Sequence, residues 1–137
     1  MATAIKDNPD WDRAERREAL NHFMARLIFC FFAEDTNIFH SNGLFTATIA
    51  QMSDRNSLNT HEVLSELFRA MSTHIKARAA AQIRNWADGF PYVNGGLFSG
   101  SVEVPRFSKI ARSYLLHVGN LDWTKMGQTG NSDKIVR

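Results

Sequence analysis

The chain has 137 residues, 44% hydrophobic and 22% charged, and its 16 Lys and Arg against 14 Asp and Glu leave a net charge of +2. That size suits one domain with a real core, and that balance argues against disorder and against a strongly basic nucleic-acid-binding chain. The single cysteine, Cys30, excludes a disulfide framework and a cysteine-based zinc site, and the longest apolar run, Leu27 to Ala33, is far short of the ~20 residues a bilayer span needs. Met1 to Asp7 contains no apolar leader core, so a cytoplasmic protein with no membrane partner is expected.

The first predicted element is a long helix. Asn8 suits its cap, Pro9 its first position, and Asp10 and Asp12 the positive end of its dipole. Leu20, Phe23, Met24, Leu27, Ile28 and Phe31 then recur at the spacing of one buried face. Cys30 and Phe32 widen that face until the helix is apolar nearly all round, as in a central helix or one covered by a partner. Glu34-Asp35-Thr36-Asn37 ends it, and a shorter helix is predicted from Leu44 to Met52.

Ser53-Asp54-Arg55-Asn56-Ser57 reads as a polar loop, followed by Asn59 and Glu62 at capping-box spacing. Val63, Leu64, Leu67, Phe68 and Met71 form the next buried face, and Ile75, Ala79, Ile83 and Trp86 predict a further helix running up to Phe90. Phe90-Pro91-Tyr92-Val93-Asn94-Gly95-Gly96-Leu97-Phe98 is a different kind of segment. Pro91 holds Phe90 extended, Asn94-Gly95-Gly96 permit a tight reversal, and the flanking side chains are too apolar for a solvated loop. It is a packed corner or a docking surface. Ser99-Gly100-Ser101 predicts a turn, and Val102-Glu103-Val104 a short extended piece. Phe107, Ile110, Ala111, Tyr114, Leu115 and Val118 predict the last full helix, stopped by Gly119, with Asp122-Trp123 opening another. The expected fold is all-α, an irregular multi-helix domain of about five helices with one apolar glycine-containing loop.

Reactive chemistry is sparse. No glycine-rich phosphate loop or nucleophile elbow is present, and the histidines (His22, His40, His61, His74, His117) are scattered. Glu34 and Asp35 form an adjacent acid pair after the buried helix. Such a pair can hold a divalent cation or act as acid and base, but acids at such a place more often cap a following turn or pair with an arginine. Trp86, Tyr92, Phe98 and Trp123 are residue types that stack on bases, but their spacing fits core or interface. Arg69 to Ala87 holds Arg69, Lys76, Arg78 and Arg84 and no acid, yet these spread around a helical wheel and form no single stripe.

Three motifs carry a family resemblance. Phe23 to Phe39 is similar to the "R-L-L-F-C-L-F-A-E-D-T-x-I-F" segment of MmeI-like enzymes, single-chain restriction–modification proteins that join a nuclease, a helical spacer and a DNA methyltransferase. Phe90 to Phe98 resembles their "F-P-Y-V-N-G-G-L-F" signature, and Pro105-Arg106-Phe107 through Asp122-Trp123-Thr124-Lys125 resembles the stretch that enters the methyltransferase. The resemblance implies a helical spacer over residues 1–126, followed by a polar tail over 127–137 that departs from the family and fits a frameshift, a truncation or an added sequence. It implies no catalytic, cofactor or metal residue here. The nuclease motif, the glycine-rich turn for S-adenosylmethionine and the "N-P-P-Y/F" motif of such enzymes have no counterpart in this chain, so S-adenosylmethionine and Mg²⁺ belong to other modules of the parent enzyme.

The implied partners are the methyltransferase and nuclease modules, with duplex DNA as a further one, in a bacterial cytoplasm. Candidate structural and docking residues are Glu34, Asp35, Phe90, Pro91, Tyr92, Asn94, Gly95, Gly96, Phe98, Asp122 and Trp123. Candidate DNA-backbone contacts are Arg69, Lys76, Arg78, Arg84, Arg106, Lys109 and Arg112. A stand-alone helical nucleic-acid-binding protein and an oligomerising adaptor are the alternative readings.

Overall fold

The long apolar run becomes the axis of the domain. In the computed structural model, which describes residues 8, 9, 13–39, 41–100 and 103–125, helix α1 spans Arg17–Asp35. It buries Phe23, Leu27, Cys30, Phe31 and Ala33 along one face. Ile28 and Phe32, one turn apart on another face, remain 44% and 36% exposed, so the helix is not covered all round by this chain. Among the described residues the other α-helices are α2 (Leu44–Met52), α3 (Thr60–Ser72), the single turn α4 (Arg78–Ala81) and α5 (Lys109–Gly119), and every regular element is helical. Short 3-10 turns lie at Ala14–Arg16, Ile75–Ala77 and Trp123–Lys125.

The core is aromatic, and its rings meet edge-on or tilted as their quadrupoles favour. Phe23 touches Phe68 and Phe107 at 6.2 and 6.0 Å between centroids, Phe31 touches Phe45 at 5.8 Å, and Phe39 touches Phe90 at 5.1 Å. Cys30 is completely buried among them, and burial, helped by the nearby Glu34 charge, raises its thiol pKa well above the ordinary value. A thiol held protonated and covered in this way is inert.

Four local expectations are revised. Asn8 does not cap α1, because its side chain accepts from the Arg106 N–H at 2.8 Å and donates to the Arg106 carbonyl at 2.7 Å. The helix instead starts at Arg17, after the Ala14–Arg16 turn, while Asp10 and Asp12 lie outside the described residues. Asn59 precedes α3 but makes no side-chain cap; its Oδ1 accepts from the Asp54 N–H at 2.6 Å and closes the preceding loop. The helix predicted up to Phe90 stops at Gln82, which is left-handed with φ 56°, because Arg69 draws the carbonyls of Ala81 and Gln82 toward α3. Gly119 belongs to α5 rather than ending it, and Asn120 follows as the C-cap.

Gly119 has a packing reason. A Cβ there would come within 2.8 Å of Thr46 Cγ2 and 3.1 Å of Phe31 Cε1, so only glycine lets the end of α5 approach α1 and α2. Gly119→Ala is therefore expected to lower stability by about 1–3 kcal/mol in urea unfolding, as overpacking does elsewhere. An unchanged midpoint would show that the contact yields freely.

Candidate functional site

The Phe90–Phe98 loop is a corner with a buried base and an open tip. Phe90 and Phe98 are 1% and 0% exposed, and Phe98 packs on Phe68 at 5.5 Å and on Phe29 at 5.7 Å. Pro91 is half-buried, and the Val93 N–H donates to the Met71 carbonyl at 2.9 Å, tying the loop to the end of α3. Tyr92, Asn94, Gly95 and Gly96 face outward. Tyr92 lies against His74 at 5.1 Å, and Gly95, at φ +108°, supplies the reversal that the glycine pair predicts.

What fixes this loop is a residue that the sequence reading missed. Arg26, on the inner face of α1, is 1% exposed and lies over the rings of Phe68 and Phe98 at 5.8 and 5.7 Å. Its Nε donates to the Leu97 carbonyl at 2.8 Å and its Nη2 to the Ser99 carbonyl at 3.2 Å. His22, one turn earlier, also bonds the Leu97 carbonyl through Nε2 at 2.6 Å. Burial draws the Arg26 pKa down from its ordinary value, but a guanidinium stays charged in proteins. A signal existed: Arg26 stands three residues after Phe23 and four before Cys30, a cation on the apolar stripe.

Glu34 and Asp35 both act on later segments. Glu34 is 1% exposed, and its carboxylate accepts from the Thr46 N–H at 2.8 Å and the Thr46 hydroxyl at 2.6 Å. It thereby caps the first turn of α2 from another helix. Asp35 accepts from the Trp123 N–H at 3.0 Å. Asp122 caps the same turn through Thr124, whose N–H and hydroxyl donate to Asp122 Oδ1 at 3.1 and 2.6 Å. The Trp123 ring stacks on Phe31 at 5.1 Å and meets Phe32 at 5.5 Å. A shallow pocket of about 230 Å³ opens between Asp35, Asn42, Asp122 and Thr124. Among the described residues no group of three His, Cys, Asp or Glu could hold a metal ion.

The seven candidate DNA-contacting cations are not equivalent. Arg78 is 4% exposed and faces inward, donating to the carbonyls of Ala70, Thr73 and Asp88 and to the Asp88 carboxylate, so it cannot serve as a surface contact. Arg69 grips Glu66 with two bonds of 2.9 and 3.1 Å. Lys76, Arg84, Arg106 and Lys109 are exposed. Arg112 is half-buried and donates to Ser53 Oγ at 2.8 Å and to the Ala50 carbonyl at 3.2 Å.

These contacts define a helical framework domain whose polar side chains mostly hold one segment to another. The chain belongs to the MmeI helicase spacer domain family, which matches residues 18–98. It is 33% identical over 113 residues to the DNA methyltransferase A of Bacillus subtilis (strain 168), covering 82% of this chain and 12% of that protein. The solved structure of the type IIL restriction–modification enzyme MmeI in complex with DNA is similar at a TM-score of 0.73 and 31% identity, over 83% of this chain and 14% of that one. The chain thus spans a small part of the relatives it matches.

Two outcomes follow from the site. Arg26→Met removes the donors that serve two loop carbonyls and should lower stability by about 2–4 kcal/mol, with the Val93 amide losing hydrogen-exchange protection. Retained protection would mean that ring packing alone holds the corner. The second concerns Glu66. Burial pushes its carboxyl up, but the Arg69 side chain, the Arg84 N–H and their charges outweigh this and hold its pKa below the ordinary value. Its contribution to stability is therefore present above the unfolded-state pKa of about 4.3 and is lost as pH falls through the lower folded value. Glu66→Gln should flatten the acid limb of a stability–pH curve measured below about pH 5, and an unaltered limb would contradict the assignment.

Proposed function

We propose that this chain is the non-catalytic helical spacer of a larger DNA methyltransferase and restriction enzyme, holding catalytic modules in fixed relation on DNA. The observation that carries this reading is how the polar groups are used. Arg26, His22, Glu34 and Asp35 bond backbone groups of segments distant in sequence, and Arg78 those of its neighbouring elements, which makes a stiff frame and leaves no nucleophile–base pair among them. The family membership, and the small share of each relative that the chain covers, support the same reading.

In this reading the methyltransferase module docks on the exposed tip of the loop (Tyr92, Asn94, Gly95, Gly96) and on the Asp122–Trp123 turn. Ile28 and Phe32 beside that turn supply apolar area, and the nuclease module lies on the N-terminal side. The parent reaction is transfer of a methyl group from S-adenosylmethionine to a flipped base in duplex DNA, with S-adenosylmethionine and Mg²⁺ held by modules outside this chain.

Incubating the 137-residue chain with isotopically labelled S-adenosylmethionine and unmethylated duplex DNA tests this. No methyl incorporation above background is expected. Incorporation that rises with the amount of chain would overturn the spacer reading.

A further inference from the structure

The described cations divide into those that face a carboxylate and those that do not. Arg16 pairs with Glu103, Arg69 with Glu66, Arg78 with Asp88 and Lys125 with Asp122. Like Arg17, Lys76 and Arg84, the residues Arg55, Arg106, Lys109 and Arg112 make no ion pair among the described residues, although Arg112 is hydrogen-bonded to neutral acceptors.

The fold brings these four to one edge. The Ser57 hydroxyl donates to the Phe107 carbonyl at 2.7 Å, which fastens the α2–α3 loop to the residue that follows Arg106, two before Lys109. The other end of that loop is held by Arg112, through Ser53 Oγ. Arg55 sits between these two attachments and is exposed. Lys109 and Arg112, three residues apart, share one flank of α5. Asp54 is the acid within the loop, and its Oδ2 accepts from the Asn56 N–H at 2.8 Å, so it closes the loop on itself.

We infer that the edge formed by Arg55, Arg106, Lys109 and Arg112 is a contact surface for the phosphodiester backbone of duplex DNA. Linear sequence hides it, since Arg55 lies about fifty residues from the other three, and only the Ser57 and Arg112 bonds assemble it. Lys76 and Arg84, on the 74–88 segment, are outside it. The inference rests on the reading above only in taking DNA as the polyanion. A failure of DNA binding leaves the methyl-transfer result standing, and the converse also holds.

The test is a fluorescence titration of the 137-residue chain with a short mixed-sequence duplex at several salt concentrations. Four phosphate contacts predict a slope of log affinity against log salt of about −3 to −4. Arg55→Glu with Lys109→Glu should weaken binding at ~50 mM salt at least about tenfold and make the slope shallower by about two. Lys76→Glu should leave both unchanged, and circular dichroism of each variant checks that it folds. No binding by the parent chain at ~50 mM salt, or equal weakening by Lys76→Glu, overturns the inference. Tighter binding to polyglutamate of matched charge than to the duplex also overturns it, and assigns the edge to an acidic protein surface.

Discussion

A segment without helix or ladder must still find donors for its buried carbonyls, and in this domain Arg26 supplies them across a separation of more than seventy residues. The Phe90–Phe98 loop anchors two phenylalanines in the core, which draws the Leu97 carbonyl in against Arg26 while the tip of the loop stays exposed. A guanidinium is suited to that task because its donors fan out in a plane, and the faces of Phe68 and Phe98 accept its charge at the edge of the core. Burying the arginine is costly in isolation, and burying the carbonyls is costly in isolation. Together they offset each other, and α1, α3 and the loop become mutually dependent.

The same logic recurs at the ends of the helices. Arg112 reaches the Ala50 carbonyl in the last turn of α2, Arg78 the Ala70 carbonyl in the last turn of α3, and Arg69 the Ala81 carbonyl at the end of α4. At the opposite poles, Glu34 takes the Thr46 N–H in the first turn of α2, and Ser108 caps α5 through the Ala111 N–H. Cations meet carbonyl ends, and a carboxylate and a hydroxyl oxygen meet amide ends, as unsatisfied end groups and the helix dipole favour. Because several of these caps come from other elements, they also set how the helices sit. Short helices of 9 to 13 residues, marginal alone, are held by side chains they do not own.

This explains which parts of the fold were legible in the sequence. The span of α2 and the buried face of α3 follow from apolar periodicity, and the loop's reversal follows from Asn94-Gly95-Gly96, whereas Ile28 on α1 and Ile110 and Tyr114 on α5 have the spacing of buried faces and are exposed. The helix predicted up to Phe90 failed because Ile75, Ala79, Ile83 and Trp86 have helical spacing, while the carbonyls at Ala81 and Gln82 are taken by Arg69. Asn8 and Asn59 have the chemistry and position of local caps, yet Asn8 bonds the distant Arg106 backbone and Asn59 turns back on its own loop. Gly119 looked like a stop signal and is instead a close approach. The candidate site divides along the same line. Motif residues are identifiable one by one, and Arg26 stands out as a cation on the apolar stripe, but what it clamps and the union of Arg55 with the start of α5 depend on tertiary contacts that no local pattern encodes.

A net charge of +2 therefore says little about what this surface does. Arg16, Arg69, Arg78 and Lys125 face carboxylates that cancel their charge locally, and Arg26 and Arg78 are buried on backbone carbonyls. Of the cations that face no carboxylate, Arg55, Arg106, Lys109 and Arg112 are brought together by the fold rather than by sequence order. A spacer benefits from that arrangement: rigidity comes from charges turned inward on backbone groups, and recognition is left to a few edges that the frame holds in place. Arg112 joins the two roles, since its donors to Ser53 and the Ala50 carbonyl hold the edge together while its charge, which no carboxylate offsets, stays available to a partner.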